Sequence, residues 1–229
     1  MKNLSLSVFF PAYNEEANIQ KTIETADAVL RAITQEYELI VVNDGSRDQT
    51  GKLAEEVARK NSRVRVIHHE KNLGYGAAVW SGMHAARYPW IFFTDADLQF
   101  DFSEISKLIA HIPEYRVVLG YRAPRRDSFM RLLNAKGWNW LVRSLFGLKV
   151  RDIDCAFKLI ERKLVVDLPL ETRGATMSAE MLIRLQRKGI VWKEVPVSHF
   201  PRSYGSPTGA KPAVIWRAFR ELFCLYGKI

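Results

Sequence analysis

Apolar and polar positions alternate between two periods over the first hundred residues. "LSLSVFFPAY" is a short, mostly apolar run that reads as a first strand. Asn14 then stands as an N-cap, with Glu15 and Glu16 in the first turn and Ile19, Ile23, Ala26, Leu30 and Ile33 along one face, which predicts an amphipathic helix. "YELIVVND" gives a second strand, followed by a helix through Leu53 and Val57. "RVRVIHH" gives a third strand, "GAAVWSGMHAAR" a helix and "WIFFTD" a fourth strand. This alternation predicts an α/β fold, a mostly parallel sheet with helices on both faces. Ligands of such sheets bind beyond the carboxyl ends of the strands. Pro11-Ala12-Tyr13, Asp44-Gly45-Ser46 and Asp95-Ala96-Asp97 all fall there.

The third cluster has the most specific chemistry. In "FFTDADLQF" an extended chain would point Asp95, Asp97 and Gln99 to one side, because strand side chains alternate with period two. Two carboxylates and an amide oxygen suit a hard divalent ion, Mg²⁺ or Mn²⁺, shared with substrate phosphates. The other reading is a strand running out into a solvated acidic turn, and the residue pattern leaves both open. Two phosphate-loop readings fail. "GSRDQTGKL" is one residue too long for a Walker A loop and has Leu53 in place of the hydroxyl, and "GYGAAVWSG" has Val79 where a dinucleotide fingerprint needs its third glycine.

Length and charge narrow the classes. The 229 residues are 48% hydrophobic and 26% charged, enough for one large α/β domain. No apolar run is long enough to cross a bilayer, no secretory signal is apparent, and Cys155 and Cys224 lack metal-type spacing, so a cytoplasmic protein is expected. Residues 1–113 carry 12 Lys+Arg against 15 Asp+Glu, and residues 114–229 carry 22 against 10. The basic half calls for an anionic partner: phosphate, a lipid surface or nucleic acid.

"FFPAYNEEANI", "VVNDGSRDQT", "NLGYGAAVWSG" and "FFTDADLQF" occur in the order and spacing of family 2 glycosyltransferases with the GT-A fold. The resemblance is greatest to the dolichyl-phosphate mannose synthase-like branch, the polyprenyl-phosphate sugar synthases. It continues through "GYRAPRRDSFMRLL", "RDIDCAFKLIER", "SAEMLIRLQRKG" and "VPVSHFPRSYGSPT", and so covers nearly the whole chain. It implies a single domain over 1–229: a nucleotide-sugar-binding half at 1–113, an acceptor-side half at 114–210 and an amphipathic helix at 211–229.

The residue roles below are what the resemblance implies. Pro11, Tyr13, Glu15 and Asp44 bind the nucleoside; Asp95, Ala96 and Asp97 meet the donor diphosphate; and Asp95, Asp97 and Gln99 hold the Mg²⁺ or Mn²⁺. Arg202 faces the diphosphate, while Arg122 and Arg131 face an acceptor phosphate. Asp97, Arg122, Arg131 and Arg202 form the catalytic set. The implied reaction is inverting transfer of mannose or glucose from a GDP- or UDP-sugar to a polyprenyl or dolichyl phosphate. The implied location is the cytoplasmic face of a membrane, bound peripherally, with a separate membrane protein as a possible recruiter and no nucleic acid. Two positions depart from the family pattern: Phe100-Asp101 where His-Pro is common, and Ala135 where a hydroxyl is common.

Two other functions stay open. A sugar-hydroxyl acceptor would need a base, for which Glu180 in "SAEM" is the candidate. A non-enzymatic basic membrane adaptor would explain the charge but leave the carboxylate pair unused. A nucleotidyltransferase is disfavoured, since "PAYNEE" is acidic where a basic glycine-rich loop would be needed. His68 and His69 read as half-exposed loop residues, His84 as a core residue, and His199 more as structure than as a ligand. Arg125, Arg126 and Arg143 read as solvated charges. Of Trp138 and Trp140, one is expected to pack and one to face an interface. In "AVIWRAFRELFCLYGKI" apolar residues recur at helical spacing between Arg217, Arg220 and Glu221, which fits a docked helix or one resting on an anionic leaflet.

Overall fold

The computed structural model describes residues 4–123, 129–202 and 212–228. Seven strands form one sheet in the order β3-β2-β1-β4-β6-β5-β7. They are β1 (Ser5–Ala12), β2 (Glu36–Asn43), β3 (Val64–His68), β4 (Trp90–Thr94), β5 (Val117–Arg122), β6 (Phe157–Glu161) and β7 (Lys193–Val197). Only β6 runs antiparallel to its neighbours, β4 and β5. The helices are α1 (Ile19–Ile33), α2 (Thr50–Lys60), α3 (Tyr75–Ala85), α4 (Ile105–Ile109), α5 (Phe129–Phe146), α6 (Met177–Arg187) and α7 (Pro212–Tyr226).

The central strands are apolar on both faces because both are covered. On one face Val8, Phe10, Leu39, Val41 and Phe92 are buried with Ile19, Ile23, Ala26 and Leu30 of α1. On the other, Phe9, Ile40, Val42 and Phe93 are buried with Val79 and Met83 of α3 and Met181 and Leu182 of α6. Phe9 and Phe93 stack with ring centroids 5.1 Å apart.

Register brings the polar clusters together. β1 and β2 pair from Ser5↔Glu36 to Ala12↔Asn43, so Tyr13 and Asp44 leave the sheet side by side. β4 joins β1 through Phe9↔Phe93 and ends next to them. Because β6 is antiparallel, Thr94↔Phe157 places the segment entering β6 at the same edge that Asp95 leaves.

Two local expectations change. Asn14 does not cap α1, which begins at Ile19 with Asn18 at its N-cap position. Asn14 instead adopts a left-handed φ of 56°, a conformation Asn tolerates better than most residues. Its Oδ1 accepts the Arg47 N–H at 2.9 Å, and its own N–H donates to Ser46 Oγ at 3.0 Å, tying the first two strand ends together. α7 is docked on the domain by one face and exposes apolar side chains on the other. Ala218, Leu222 and Leu225 are buried against the domain, whereas Trp216 (74% exposed) and Phe223 (57% exposed) face outward. Trp138 packs edge-on to Phe219 while Trp140 is exposed, so the two tryptophans divide as expected.

Gly82 of α3 lets that helix lie directly on β1: a Cβ there would fall 2.4 Å from Phe9 Cδ2. Gly82→Ala should therefore cost about 1–3 kcal/mol by overpacking a ring that has nowhere to move. Chemical denaturation checks this, and an unchanged midpoint would show that α3 can shift.

Candidate active site

The segment after β4 does not stay extended. It bends, with Leu98 at φ 58°, so Asp95, Asp97 and Gln99 do not share a strand face as the period-two reading assumed. Asp97 Oδ1 accepts the Gln99 N–H at 3.2 Å, which closes a tight turn. Gln99 reaches away to the chain's other end: its Nε2 donates to the Phe200 carbonyl at 2.9 Å, and its carbonyl accepts the Phe200 N–H at 2.8 Å. Phe100 bridges to His199 and packs on Phe157, while Asp101 caps the next turn by accepting Ser103 N–H at 2.9 Å. Phe100-Asp101, the family departure, thus has a local structural role.

That clip sets Arg202 over the site. Its Nη1 lies 3.4 Å from Asp97 Oδ2, and its Nη2 donates to Glu15 Oε1. Glu15 is held in turn by Asn18 Nδ2 at 2.8 Å, and its N–H donates to Thr50 Oγ1 at 2.7 Å. One guanidinium therefore joins the end of β1 to the turn after β4. Pro11 and Ala96 are buried beside it, Tyr13 is half-buried, and the Ala96 carbonyl accepts from Thr22 Oγ1 at 3.0 Å.

Asp44 is a loop organiser. Its carboxylate accepts from His69 Nδ1 at 2.7 Å and from the N–H groups of Leu73 and Gly74, each at 2.9 Å. His69, expected to be a half-exposed loop residue, is partly buried and bridges Asp44 and Ser81 Oγ. The 69–74 loop so fixed leads into α3, whose Gly76 lies close under the next loop: a Cβ there would sit 2.6 Å from the Gly174 carbonyl oxygen.

Arg122 also differs from its expected role. Its fork is already engaged, Nε to Asp152 Oδ2 and Nη2 to Asp152 Oδ1, both at 2.7 Å. This buried pair holds its guanidinium still more firmly charged than usual. Arg122 thus anchors the turn before β6 and does not present a free fork to an acceptor. The Arg131 side chain, Arg125 and Arg126 lie outside the described residues. Sequence reasoning passed over Asp152, Asp154, Lys158, Tyr75 and Asn139. A signal was available in "DCAFKLI", where a lysine interrupts an apolar strand and needs a buried partner.

The Glu180 reading is overturned. The side chain is fully buried, 0% exposed, and accepts from the N–H groups of Glu171 and Thr172, from Thr172 Oγ1 at 2.7 Å and from Arg184 Nε at 2.8 Å. A carboxylate so saturated has no oxygen left to take a proton from a substrate.

A family model described as glycosyl transferase family 2 matches residues 7–167. The chain belongs to that family. Its relatives include an undecaprenyl-phosphate 4-deoxy-4-formamido-L-arabinose transferase of Proteus mirabilis, 31% identical over 96% of this chain and 67% of the relative. Glycosyltransferase AglD of Haloferax volcanii is 31% identical over 87% of this chain and 34% of its own length. A dodecaprenyl-phosphate galacturonate synthase of Rhizobium johnstonii is 29% identical over 74% and 52%. The chain thus spans about two thirds or less of these relatives. Among solved structures, glucosyl-3-phosphoglycerate synthase of Mycobacterium tuberculosis, crystallised with Mn²⁺, UDP and glucosyl-3-phosphoglycerate, superposes with TM-score 0.76 at 22% identity, covering 97% of this chain and 80% of that one. The GT-A fold expected from the sequence is the one found.

In this family 2 site the carboxylates are crowded. Burial first, and the charge of Asp97 second, push the Asp95 carboxyl up to about 7, against the pull of the Tyr75 hydroxyl, Lys158 and Arg122. Burial likewise raises Glu15. Such a pair fits a hard divalent ion, whose charge relieves the repulsion. No group of three or more His, Cys, Asp or Glu side chains is arranged as a metal cage among the described residues.

The raised Asp95 has a consequence for the metal-free protein. The folded state holds a proton there that the unfolded chain releases from about pH 4 upward, so this group destabilises the fold as pH rises from about 4 through 7. Chelator-treated protein should thus have a pH 8-versus-5 stability difference that Asp95→Asn shifts in favour of pH 8. Melting curves of both proteins test this, and parallel profiles would remove the strain from Asp95.

Proposed function

We propose that this domain transfers a hexose, mannose or glucose, from a GDP- or UDP-sugar to a polyprenyl phosphate with inversion, using Mg²⁺ or Mn²⁺. The observation that carries the reading is the state of Glu180. A sugar hydroxyl must lose a proton as it attacks, and the residue offered for that task is sealed in the 170–172 turn. A phosphate monoester is already largely ionised at neutral pH, its second pKa being about 6, and needs no base. The names of the undecaprenyl- and dodecaprenyl-phosphate relatives support the same acceptor.

In this reading Pro11, Tyr13 and Asp44 with its 69–74 loop form the nucleoside subsite. Asp95 and Asp97 would hold the metal, which neutralises the departing diphosphate when bound. Gln99 tethers the 199–202 segment and so supports Arg202. That arginine, resting between Glu15 and Asp97, stabilises the diphosphate as it leaves. Arg131 meets the acceptor phosphate, and Arg122 steadies Asp152 behind it.

The acceptor is a lipid, and α7 has the character of an interfacial helix. Trp216, Phe223 and Tyr226 are exposed next to Arg217 and Arg220, which suits an anionic leaflet. No helix among the described residues is long and apolar enough to cross a membrane. The two cysteines are free thiols, compatible with the cytoplasmic face.

A donor screen against a short polyprenyl phosphate, read by mass spectrometry, tests the reaction; product formed only on free sugars would refute it. Asp97→Ala should lower kcat by at least about 10²-fold and abolish metal-dependent nucleotide binding while the fold survives. Near-normal turnover would overturn the metal assignment.

Arginine-to-lysine exchanges separate the two substrates. Arg131→Lys keeps the charge but loses the fork, and should raise acceptor KM with donor binding little changed, whereas Arg202→Lys should weaken donor binding and slow transfer. Kinetics with each substrate varied in turn decide this, and a donor-only defect in Arg131→Lys would reassign it.

A further inference from the structure

The turn at residues 152–155 is fixed from four directions. Asp152 takes the fork of Arg122 from β5. The Ile153 N–H donates to Asn139 Oδ1 of α5 at 3.2 Å. Lys158 of β6, 0% exposed, spends its ammonium on the Ile153 carbonyl at 3.1 Å and on that of Cys155. The Cys155 N–H closes the turn onto the Asp152 carbonyl. Asp152, Ile153 and Cys155 are buried, and Asp154 alone is exposed. A buried lysine, a partly buried arginine and a buried asparagine thus hold the turn that carries Asp154, whose carboxylate bonds the Trp138 side chain. Asp154 opens to solvent at this edge while burial of its carboxyl raises its pKa, so the turn holds a partly desolvated carboxylate at the surface.

The position of Asp154 explains what the turn presents. Thr94↔Phe157 pairing lays residues 152–155 along the edge that Asp95 leaves. Tyr75 hydrogen-bonds Asp95 and also feels the charge of Asp154, so the two segments face one another. In a nucleoside diphosphate sugar, the sugar is joined directly to the outer phosphate. A diphosphate at Asp95, Asp97 and Arg202 therefore places its sugar next to this turn.

We infer that Asp154 is a specificity-determining residue of the sugar subsite, accepting hydrogen bonds from sugar hydroxyls and excluding donors whose sugar carries a carboxylate. The inference rests on the donor half of the reading above and is independent of the acceptor. Electrostatics point the same way. At this edge Glu15, Asp95, Asp97, Asp152 and Asp154 face Arg122, Lys158 and Arg202 among the described residues. One divalent ion balances that excess of two, the donor's diphosphate brings further negative charge, and a uronate would add one more that nothing at this edge offsets. A hydroxyl adds no charge and gives Asp154 a donor.

Binding without acceptor tests this directly. Calorimetry in Mn²⁺ would compare UDP-glucose with UDP-glucuronate and GDP-mannose with GDP-mannuronate, on the unaltered protein and on Asp154→Asn. The unaltered protein should prefer the neutral sugar by about tenfold or more, since like charges brought together are strongly disfavoured. Asp154→Asn should narrow that ratio about tenfold while UDP and GDP alone bind as before, which also reports an intact fold. An equal ratio in both proteins, or no preference in the first, overturns the inference. Discrimination that persists while no polyprenyl phosphate is glycosylated would instead refute the acceptor half of the function and leave Asp154 in its role.

Discussion

Carboxylates gathered at one edge of a sheet repel one another, and much of the rest of this structure answers that constraint. Asp95 and Asp97 leave β4 where Glu15 leaves β1 and where Asp152 and Asp154 approach β6. Each is compensated by a cation drawn from elsewhere: Arg202 for Glu15 and Asp97, Arg122 for Asp152, and Lys158 behind the 152–155 turn. The compensation is incomplete at Asp95, whose carboxyl is pushed up to about 7. The least relieved charge thus lies at the end of β4, where the proposed reaction would draw in a divalent ion and a diphosphate.

A second constraint connects the start of α3 to the outward-facing helix. Glu180 gathers the amides of residues 171 and 172, and the loop beyond them runs under the start of α3, where the Ala77 N–H donates to the Arg173 carbonyl at 3.1 Å. Arg173 also lies over the Trp80 ring, 4.8 Å from its centroid. On its other side the same loop receives α7: Thr176 Oγ1 donates to the Ala218 carbonyl at 3.2 Å, and Glu221 sits so close to Gly174 that a Cβ there would meet its Oε2 at 2.8 Å. One buried carboxylate, which the sequence offered only as the base of an alternative reading, turns out to hold the loop that seats the helix carrying the exposed aromatics.

How much was legible depends on distance along the chain. The strands, the helices through α3 and the three polar clusters follow from period and turn chemistry within a dozen residues, and apart from the later start of α1 at Ile19 they stand where the sequence placed them. Errors arose where a side chain's partner was remote. Asn14 looked like a cap because its bond to Arg47 is 33 residues away. Asp95, Asp97 and Gln99 looked coplanar because nothing local reveals that Gln99 will bond Phe200, 101 positions on. Arg122 looked free for want of a visible Asp152.

By itself, the sequence determined the class of fold, the gathering of three polar clusters at one edge of the sheet and the acidic character of that edge, because periodicity and strand ends are local properties. Only the tertiary structure decided which charges neutralise one another. Arg202 meets Glu15 across 187 residues, and Glu180 is used up by a turn that sequence spacing gave no reason to place beside it. A carboxylate's chemistry depends on how many of its lone pairs remain available, and that number is set by neighbours which only folding brings within 3 Å.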